Sequence, residues 1–366
     1  MRKIDSCYKK SFSFQWHITT KCRYNCSHCY IEEIGCNPNR VVSIPLDQVN
    51  QILAKIVFFF NQLEKRIGSE IKKNIILTGG DPLLHPDFLE IAERINEKGF
   101  RIGILGCPET FKPAIISKLK DLPINSIQFS IDGIPEYHDQ FRRSKGSFSR
   151  TIKKIMELKE IFRIHVMYTV CKENMRYLIP TIELLNHSDV PYIDFARVAH
   201  RGGAGNIERI EPQEYRQLLN DIYHLEKRLG EGAISIGKKD PLWKLLYYEK
   251  GEFAEKEIVD IQKNKKIVSG CPCGFTSLTL LHDGRLDICR RFDSTIGFLP
   301  DDDILEKYIE HTMIRKIRNP LKIEGCAICK LKYQCRGCPA IAYNLYGEMG
   351  CRDPQCWKIV IQNKHI

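Results

Sequence analysis

The chain has 366 residues, 43% of them hydrophobic, which suffices for one large domain plus a smaller one and excludes general disorder. The longest apolar run that stands out, 56–60, is far too short to cross a bilayer, and the N-terminus has no stretch of signal-peptide type, so a cytoplasmic protein without membrane contact is expected. A formal net charge of +11 leaves room for an acidic partner, but Lys and Arg are scattered rather than striped with aromatics, which argues against nucleic acid.

In chain order, alternating Phe12, Phe14, Trp16 and Ile18 predict a first strand over 12–18. Directly after it stand Cys22, Cys26 and Cys29, spaced Cys-x3-Cys-x2-Cys. Three thiolates on a four-iron cubane leave one iron open, as catalytic rather than closed metal sites do. Further strands are predicted at 74–77, 101–105, 126–131, 164–170 and 192–198. Amphipathic helices at 46–66, 87–98, 112–121, 148–159 and 175–185 fall between them. The two kinds of segment alternate at intervals of roughly 25–30 residues, as βα units do. Six units predict an α/β fold, a partial (β/α)6 TIM-like barrel whose open side admits a large substrate.

The unusual residues fall at strand ends, where βα barrels carry their active face. Thr78-Gly79-Gly80-Asp81-Pro82 follows the second strand and Gly106-Cys107-Pro108 the third; Ser130 and Asp132 end the fourth, Thr169 the fifth and Arg197 the sixth. Gly79 and Gly80 let the backbone approach a ligand closely, and their carbonyls can accept from an ammonium group. Ser130 and Asp132 alternate along a strand and so point the same way, suited to ribose hydroxyls or the start of a turn. A glycine-rich loop at 199–210 and a helix at 212–229 lead into a charged, helix-like bridge that runs to 269. The expected division is therefore a barrel over 1–210, a helical bridge over 211–269 and a small cysteine-rich domain over 270–366.

In a reducing compartment, sixteen cysteines point to metal or redox chemistry rather than disulfides. Cys7, Cys36, Cys107 and Cys171 occur singly and read as small buried residues. Nine others fall between 271 and 356: Cys271, Cys273, Cys289, Cys326, Cys329, Cys335, Cys338, Cys351 and Cys356. Cys-x2-Cys pairs also suit zinc, but zinc ribbons usually separate their pairs more widely than the five residues between Cys329 and Cys335.

The cysteine triad after strand one and the Gly79-Gly80 turn after strand two resemble the radical SAM superfamily. So do SerIleAspGly at 130–133, HisAspGlnPheArg at 138–142 and GlySerPhe at 146–148. The resemblance implies a [4Fe–4S] cluster on Cys22, Cys26 and Cys29 whose open iron holds S-adenosylmethionine. Reductive cleavage would give a 5′-deoxyadenosyl radical that removes a hydrogen atom from substrate. It also implies that Gly79, Gly80 and Asp81 hold the amino group of the methionine moiety, Asp81 standing where the family usually has Glu. Asp132 would serve a polar group of the same ligand, Ser130 with Arg142 or Arg143 its carboxylate, and His28 lies where an aromatic residue often sits near the adenine.

The C-terminal third, with HisAspGlyArgLeuAspIleCys at 282–289, CysArgGlyCys at 335–338 and AspProGlnCys at 353–356, resembles the SPASM extension of such enzymes. That extension binds auxiliary [4Fe–4S] clusters. By analogy Cys271, Cys273 (either or both), Cys289 and Cys338 serve one, and Cys326, Cys329, Cys335 and Cys356 the other, with Cys351 competing for the last place. The family commonly has Cys-x3-Cys where this chain has Cys335-x2-Cys338.

The preferred expectation is a maturase of a ribosomally made peptide, served by an electron donor such as flavodoxin or ferredoxin and by a separate leader-peptide-binding protein. Tetrapyrrole or other cofactor biosynthesis is an alternative, because related enzymes share the CysArgGlyCys…AspPro-x-Cys pattern. Anaerobic sulfatase maturation is another, although Arg290 follows Cys289 where those enzymes carry an acidic base. A zinc-binding interaction module would leave the strand-end constellation unexplained.

Overall fold

The computed structural model describes residues 11–31 and 41–358; Cys7 and Cys36 lie outside the described residues. Strand β1 (Ser11–Thr19) turns Phe12, Phe14, Trp16 and Ile18 toward helix α1 (Leu46–Ile67). There Phe59 and Phe60 meet Phe12 and Phe14 with ring centroids 5.1–5.9 Å apart, close enough for edge-to-face contact. The opposite face of β1 carries Ser13, Gln15, His17 and Thr19. This two-residue alternation puts apolar side chains under the helices and polar ones inside the barrel.

The same arrangement repeats through β2 (Lys72–Gly79), α2 (Phe88–Glu97), β3 (Arg101–Leu105), α3 (Pro113–Leu119) and β4 (Ile124–Ser130). It continues with α4 (Pro135–Phe141), α5 (Ser147–Leu158), β5 (Ile164–Val170), α6 (Leu178–His187) and β6 (Tyr192–Arg197). Strands β1 to β6 pair in parallel in chain order, and the two-residue β7 (Ser235–Ile236) extends the edge after helix α7 (Pro212–Leu229). Six βα units thus form the parallel sheet of a partial barrel.

The interior face carries polar groups among apolar ones: Ser126, Gln128 and Ser130 on β4 alternate with buried Ile127 and Phe129, and His165, Met167 and Thr169 on β5 with Val166 and Tyr168. A barrel filled by its own core would place branched apolar side chains there. Polar groups in that position mark a ligand space.

Helices α8 (Trp243–Glu249) and α9 (Glu255–Asn264) precede the cysteine-rich end. Beyond them β8 (Ser277–Leu280) pairs in parallel with β1, Phe14 standing opposite both Ile75 and Leu278. Strands β9 (Arg285–Asp287) and β10 (Thr295–Phe298) add an antiparallel hairpin, giving one ten-stranded sheet ordered β10-β9-β8-β1-β2-β3-β4-β5-β6-β7. The cysteine-rich end is therefore hydrogen-bonded to the first barrel strand. Helices α10 (Ile304–Glu310), α11 (Thr312–Ile317) and α12 (Pro339–Tyr346) complete the chain. No helix among the described residues is long and apolar enough to cross a membrane.

Candidate functional site

The turn after β2 is built against the loop that carries the first cysteines. Gly80 N–H donates to the Thr19 carbonyl at 2.9 Å and Asp81 N–H to the Lys21 carbonyl at 2.7 Å. A Cβ on Gly79 would stand 2.0 Å from the Thr19 oxygen, and one on Gly80 2.2 Å from the Lys21 oxygen. Only glycine permits this approach, and Gly79 also has a φ of 130°. Asp81 is fully buried; its carboxylate accepts from Leu83 N–H at 3.2 Å and Cys107 N–H at 3.3 Å, and burial pushes its pKa up to about 6.

Cys22, Cys26 and Cys29 pack with Tyr24 and Cys107 as one group. Tyr24 anchors the loop through its hydroxyl to Glu109 at 2.7 Å, and Gly203 N–H holds the Cys29 carbonyl at 3.0 Å. Arg142 reaches the Cys26 sulfur at 3.7 Å while its Nε donates to Asp132 at 2.6 Å. Asp132 also accepts from Thr169 N–H at 2.7 Å; burial pushes its carboxyl up, but the Arg142 charge together with His28, His138 and the Thr169 N–H holds it below the usual range. His28 stacks on Phe141 with centroids 4.2 Å apart and planes 7° apart, its Nε2 3.9 Å from Asp132. Burial drops the His28 pKa to about 4, so the ring is neutral at pH 7. Ser130 is half-buried at the end of β4. The cysteine loop, the Gly79–Asp81 turn and Cys107 therefore meet in one place with Asp132, Arg142 and His28.

Two strand-end residues behave differently from their sequence reading. Cys107, read as an ordinary small buried residue, lies against the triad; its place in the Gly106-Cys107-Pro108 turn at the same rim was the available signal. Arg197 ends β6 but turns to the helix side, where its guanidinium lies 4.9 Å from the Tyr215 ring and pairs with Asp240 and Asp353.

In the cysteine-rich end the Cys273 thiol lies within hydrogen-bonding reach of both Cys271 and Cys289. Arg291 stands 3.9 Å from the Cys338 sulfur, and Cys338 N–H donates to Asp353 at 2.8 Å. Buried Cys335 and half-buried Cys326 neighbour Cys356, and Lys358 Nζ reaches the Cys329 sulfur at 3.5 Å. Burial pushes Cys326 up to about 12. The Cys351 thiol lies 3.6 Å from Glu348.

These donors suit iron–sulfur clusters, because soft thiolates select such centres. Among the described residues no three His, Cys, Asp or Glu side chains converge on a point that a single ion would occupy. A cubane offers its irons at separate corners, so its thiolates surround a volume rather than a point.

Tyr30 lies within electrostatic reach of both Cys29 and Cys289. Its hydroxyl lies 3.4 Å from His17 Nε2, and Arg290 covers its ring at 5.7 Å. Arg201 lies close by, and its charge also reaches Asp287, which burial pushes up to about 6. Among the described residues neither Arg201 nor Arg290 forms an ion pair. Lys239, 4.0 Å from Asp194, adds a further cation on the same side, near Arg290 and Cys273. Periodicity and spacing did not single out His17, Tyr30, Arg201 or Lys239.

The sequence pattern of the radical SAM superfamily matches residues 16–185. The AdoMet-dependent heme synthase of Methanosarcina barkeri (strain Fusaro / DSM 804) is 27% identical over 348 residues, 93% of this chain and 95% of that protein. The Fe-coproporphyrin III synthase of the same organism is 24% identical over 370 residues, 93% of this chain and 86% of that protein. Streptococcus suis SuiB bound to precursor peptide SuiA superposes with a TM-score of 0.68 at 16% identity, over 96% of this chain and 76% of that one; this likeness is one of fold.

Proposed function

Because residues 16–185 are a radical SAM domain, an enzyme's machinery that uses S-adenosylmethionine and a [4Fe–4S] cluster, we propose that this chain removes a hydrogen atom from a side chain of a carboxylate-bearing tetrapyrrole. When bound, the two cofactors together supply a deoxyadenosyl radical; the protein binds, orients and excludes water.

In this reading Cys22, Cys26 and Cys29 are the first cluster's ligands, and Gly79, Gly80 and Asp81 shape the turn beside the methionine moiety. Ser130, Asp132 and Arg142 line the rest of that ligand's polar end, and His28 on Phe141 offers a neutral flat face for the adenine. Cys271, Cys273, Cys289 and Cys338 would hold one auxiliary cluster. Cys326, Cys329, Cys335 and Cys356 would hold the other. The neighbour relations among these thiols support that division. Supporting the domain division 1–210, 211–269 and 270–366 are the barrel's end near Arg197, the α7–α9 helices and the cysteine-bearing remainder.

One observation carries the substrate class. Among the described residues neither Arg201 nor Arg290 forms an ion pair, and both lie within electrostatic reach of Tyr30, as do the Cys29 and Cys289 thiols. Half-buried guanidinium groups favour an anionic guest. A tetrapyrrole with several carboxylate arms fits, and the relatives aligned along nearly the whole chain carry tetrapyrrole names. A peptide remains the second reading, favoured by the shared fold of peptide-bound SuiB.

The test is substrate-dependent 5′-deoxyadenosine formation by the anaerobically reconstituted enzyme. Iron coproporphyrin III should raise it above the level with S-adenosylmethionine alone and should itself be altered. Stimulation by a peptide and not by the porphyrin would replace this reading with the second.

A further inference from the structure

Cys107 brings a fourth thiol to the first cysteine site. It comes from the end of β3, whereas Cys22, Cys26 and Cys29 come from the loop after β1, yet all four pack as one group around Tyr24. The Cys107 thiol lies within hydrogen-bonding reach of the Cys22 thiol. Its backbone is fixed at both ends: the N–H donates to Asp81 at 3.3 Å and the carbonyl accepts from the Thr110 hydroxyl at 2.7 Å. Gly106 and Pro108 flank it, and Pro108 begins a short 3-10 turn. The thiol is therefore carried on a rigid turn and aimed at a set of ligands that is one short of a cubane's four irons.

We propose that Cys107 ligates the open iron while S-adenosylmethionine is absent, closing the cluster with four thiolates, and yields that position when S-adenosylmethionine binds. This rests on the assignment of Cys22, Cys26 and Cys29 to the first cluster. As the iron–sulfur bond to Cys107 forms, its thiol releases a proton to solvent. When S-adenosylmethionine takes the iron, that bond breaks and the thiolate takes a proton back. No electron moves in the exchange. The closed form protects an iron that three thiolates alone leave exposed to loss on oxidation. It also weakens the apparent affinity for S-adenosylmethionine, by the inverse of the fraction of chains that are open.

The experiment uses the full chain reconstituted anaerobically as wild type, Cys107→Ala and Cys107→Ser. Each is oxidised with ferricyanide, and the three-iron signal is read by electron paramagnetic resonance. Without S-adenosylmethionine the wild type should give little of this signal and both variants a strong one. With S-adenosylmethionine bound beforehand all three should be equally protected. The variants should also bind S-adenosylmethionine about tenfold more tightly if roughly nine in ten wild-type chains are closed. A wild-type signal as strong as that of Cys107→Ala overturns the proposal. Retention of about eight auxiliary irons in the variants shows that they are folded. If a chain with Cys22, Cys26 and Cys29 all replaced by Ala keeps the full iron content, the first-cluster assignment itself fails, independently of Cys107.

Discussion

Arg197 and Asp353 meet in a two-pronged buried contact, Nη1 to Oδ1 and Nη2 to Oδ2 both at 2.8 Å, joining the end of the sixth barrel strand to the last described segment of the chain. Asp240 takes the other edge of the guanidinium through Nε at 2.7 Å, and Gln355 adds an acceptor at 2.8 Å. Asp353 in turn holds Cys338 N–H, so two of the proposed auxiliary ligands, Cys338 and Cys356, depend on this arginine for their place. Replacing Arg197 by Met leaves two buried carboxylates facing one another, which costs on the order of 3–5 kcal/mol. Denaturant unfolding should report that loss, and anaerobic reconstitution should yield fewer than the roughly twelve irons of three cubanes. Arg197→Lys keeps the charge without the fork and should fall between the two. Full iron content and unchanged stability in Arg197→Met would contradict the role given to the pair.

Gly80→Ala tests the close approach of the second strand's turn to the cysteine loop. The added methyl meets the Lys21 carbonyl at 2.2 Å, a backbone atom that cannot swing aside. The loop must shift, and with it Cys22. The variant should lose about four of roughly twelve irons, keep the auxiliary ones, and make no 5′-deoxyadenosine. Iron counting and product analysis on the same sample check this. Wild-type iron and activity would show that the turn does not fix the loop.

His138 makes stability depend on acidity. Its Nδ1 accepts the Asp132 N–H at 3.1 Å, and burial, helped by the Arg142 charge, lowers its pKa from 6.5 to about 4. Between those values the unfolded chain holds a proton that the folded chain refuses. Stability is therefore full above about pH 6.5 and falls as pH drops toward 4, by up to about 3 kcal/mol from this residue. His138→Asn keeps an acceptor and cannot take a proton. The stability gap between wild type and variant, measured by urea unfolding, should narrow from about pH 7 to about pH 4.5. A constant gap would mean that folding does not lower the His138 pKa.

The barrel was legible because each βα unit shows its period: strands 101–105 and 164–170 and helix 212–229 fall where the alternation of apolar residues puts them. Helix α4 was missed because seven residues starting at Pro135 are too short to show a helical period. The pairing of β8 with β1 was hidden for a different reason: a four-residue apolar strand carries no sign of a partner some 260 positions away. At the site, residues with a spacing or a turn motif announced themselves. His17, Tyr30 and Arg201 did not, because an inward-facing side chain on a strand or loop is marked only by its neighbours in space. Cys107 reads from the sequence only as a small buried residue, since a single cysteine has no spacing to interpret.

Arg290 gives the sharpest test of what the site binds. It follows Cys289, lies over the Tyr30 ring, and forms no ion pair among the described residues. If its guanidinium grips a substrate carboxylate, its loss removes a charge-assisted hydrogen bond worth about 1.5–3 kcal/mol, or roughly a 10- to 100-fold rise in KM. The bond is made equally in the bound substrate and at the reacting stage, so kcat should change much less. Arg290→Gln should therefore weaken iron coproporphyrin III binding, read directly from the porphyrin absorbance, while leaving S-adenosylmethionine binding and iron content as in the wild type. Arg290→Lys should recover part of the affinity, since it restores the charge but not the two-pronged geometry. A fall in kcat at unchanged KM would move Arg290 from substrate binding to the chemistry around Cys289. Unchanged kinetics would remove Arg201 and Arg290 as support for a carboxylate-bearing substrate.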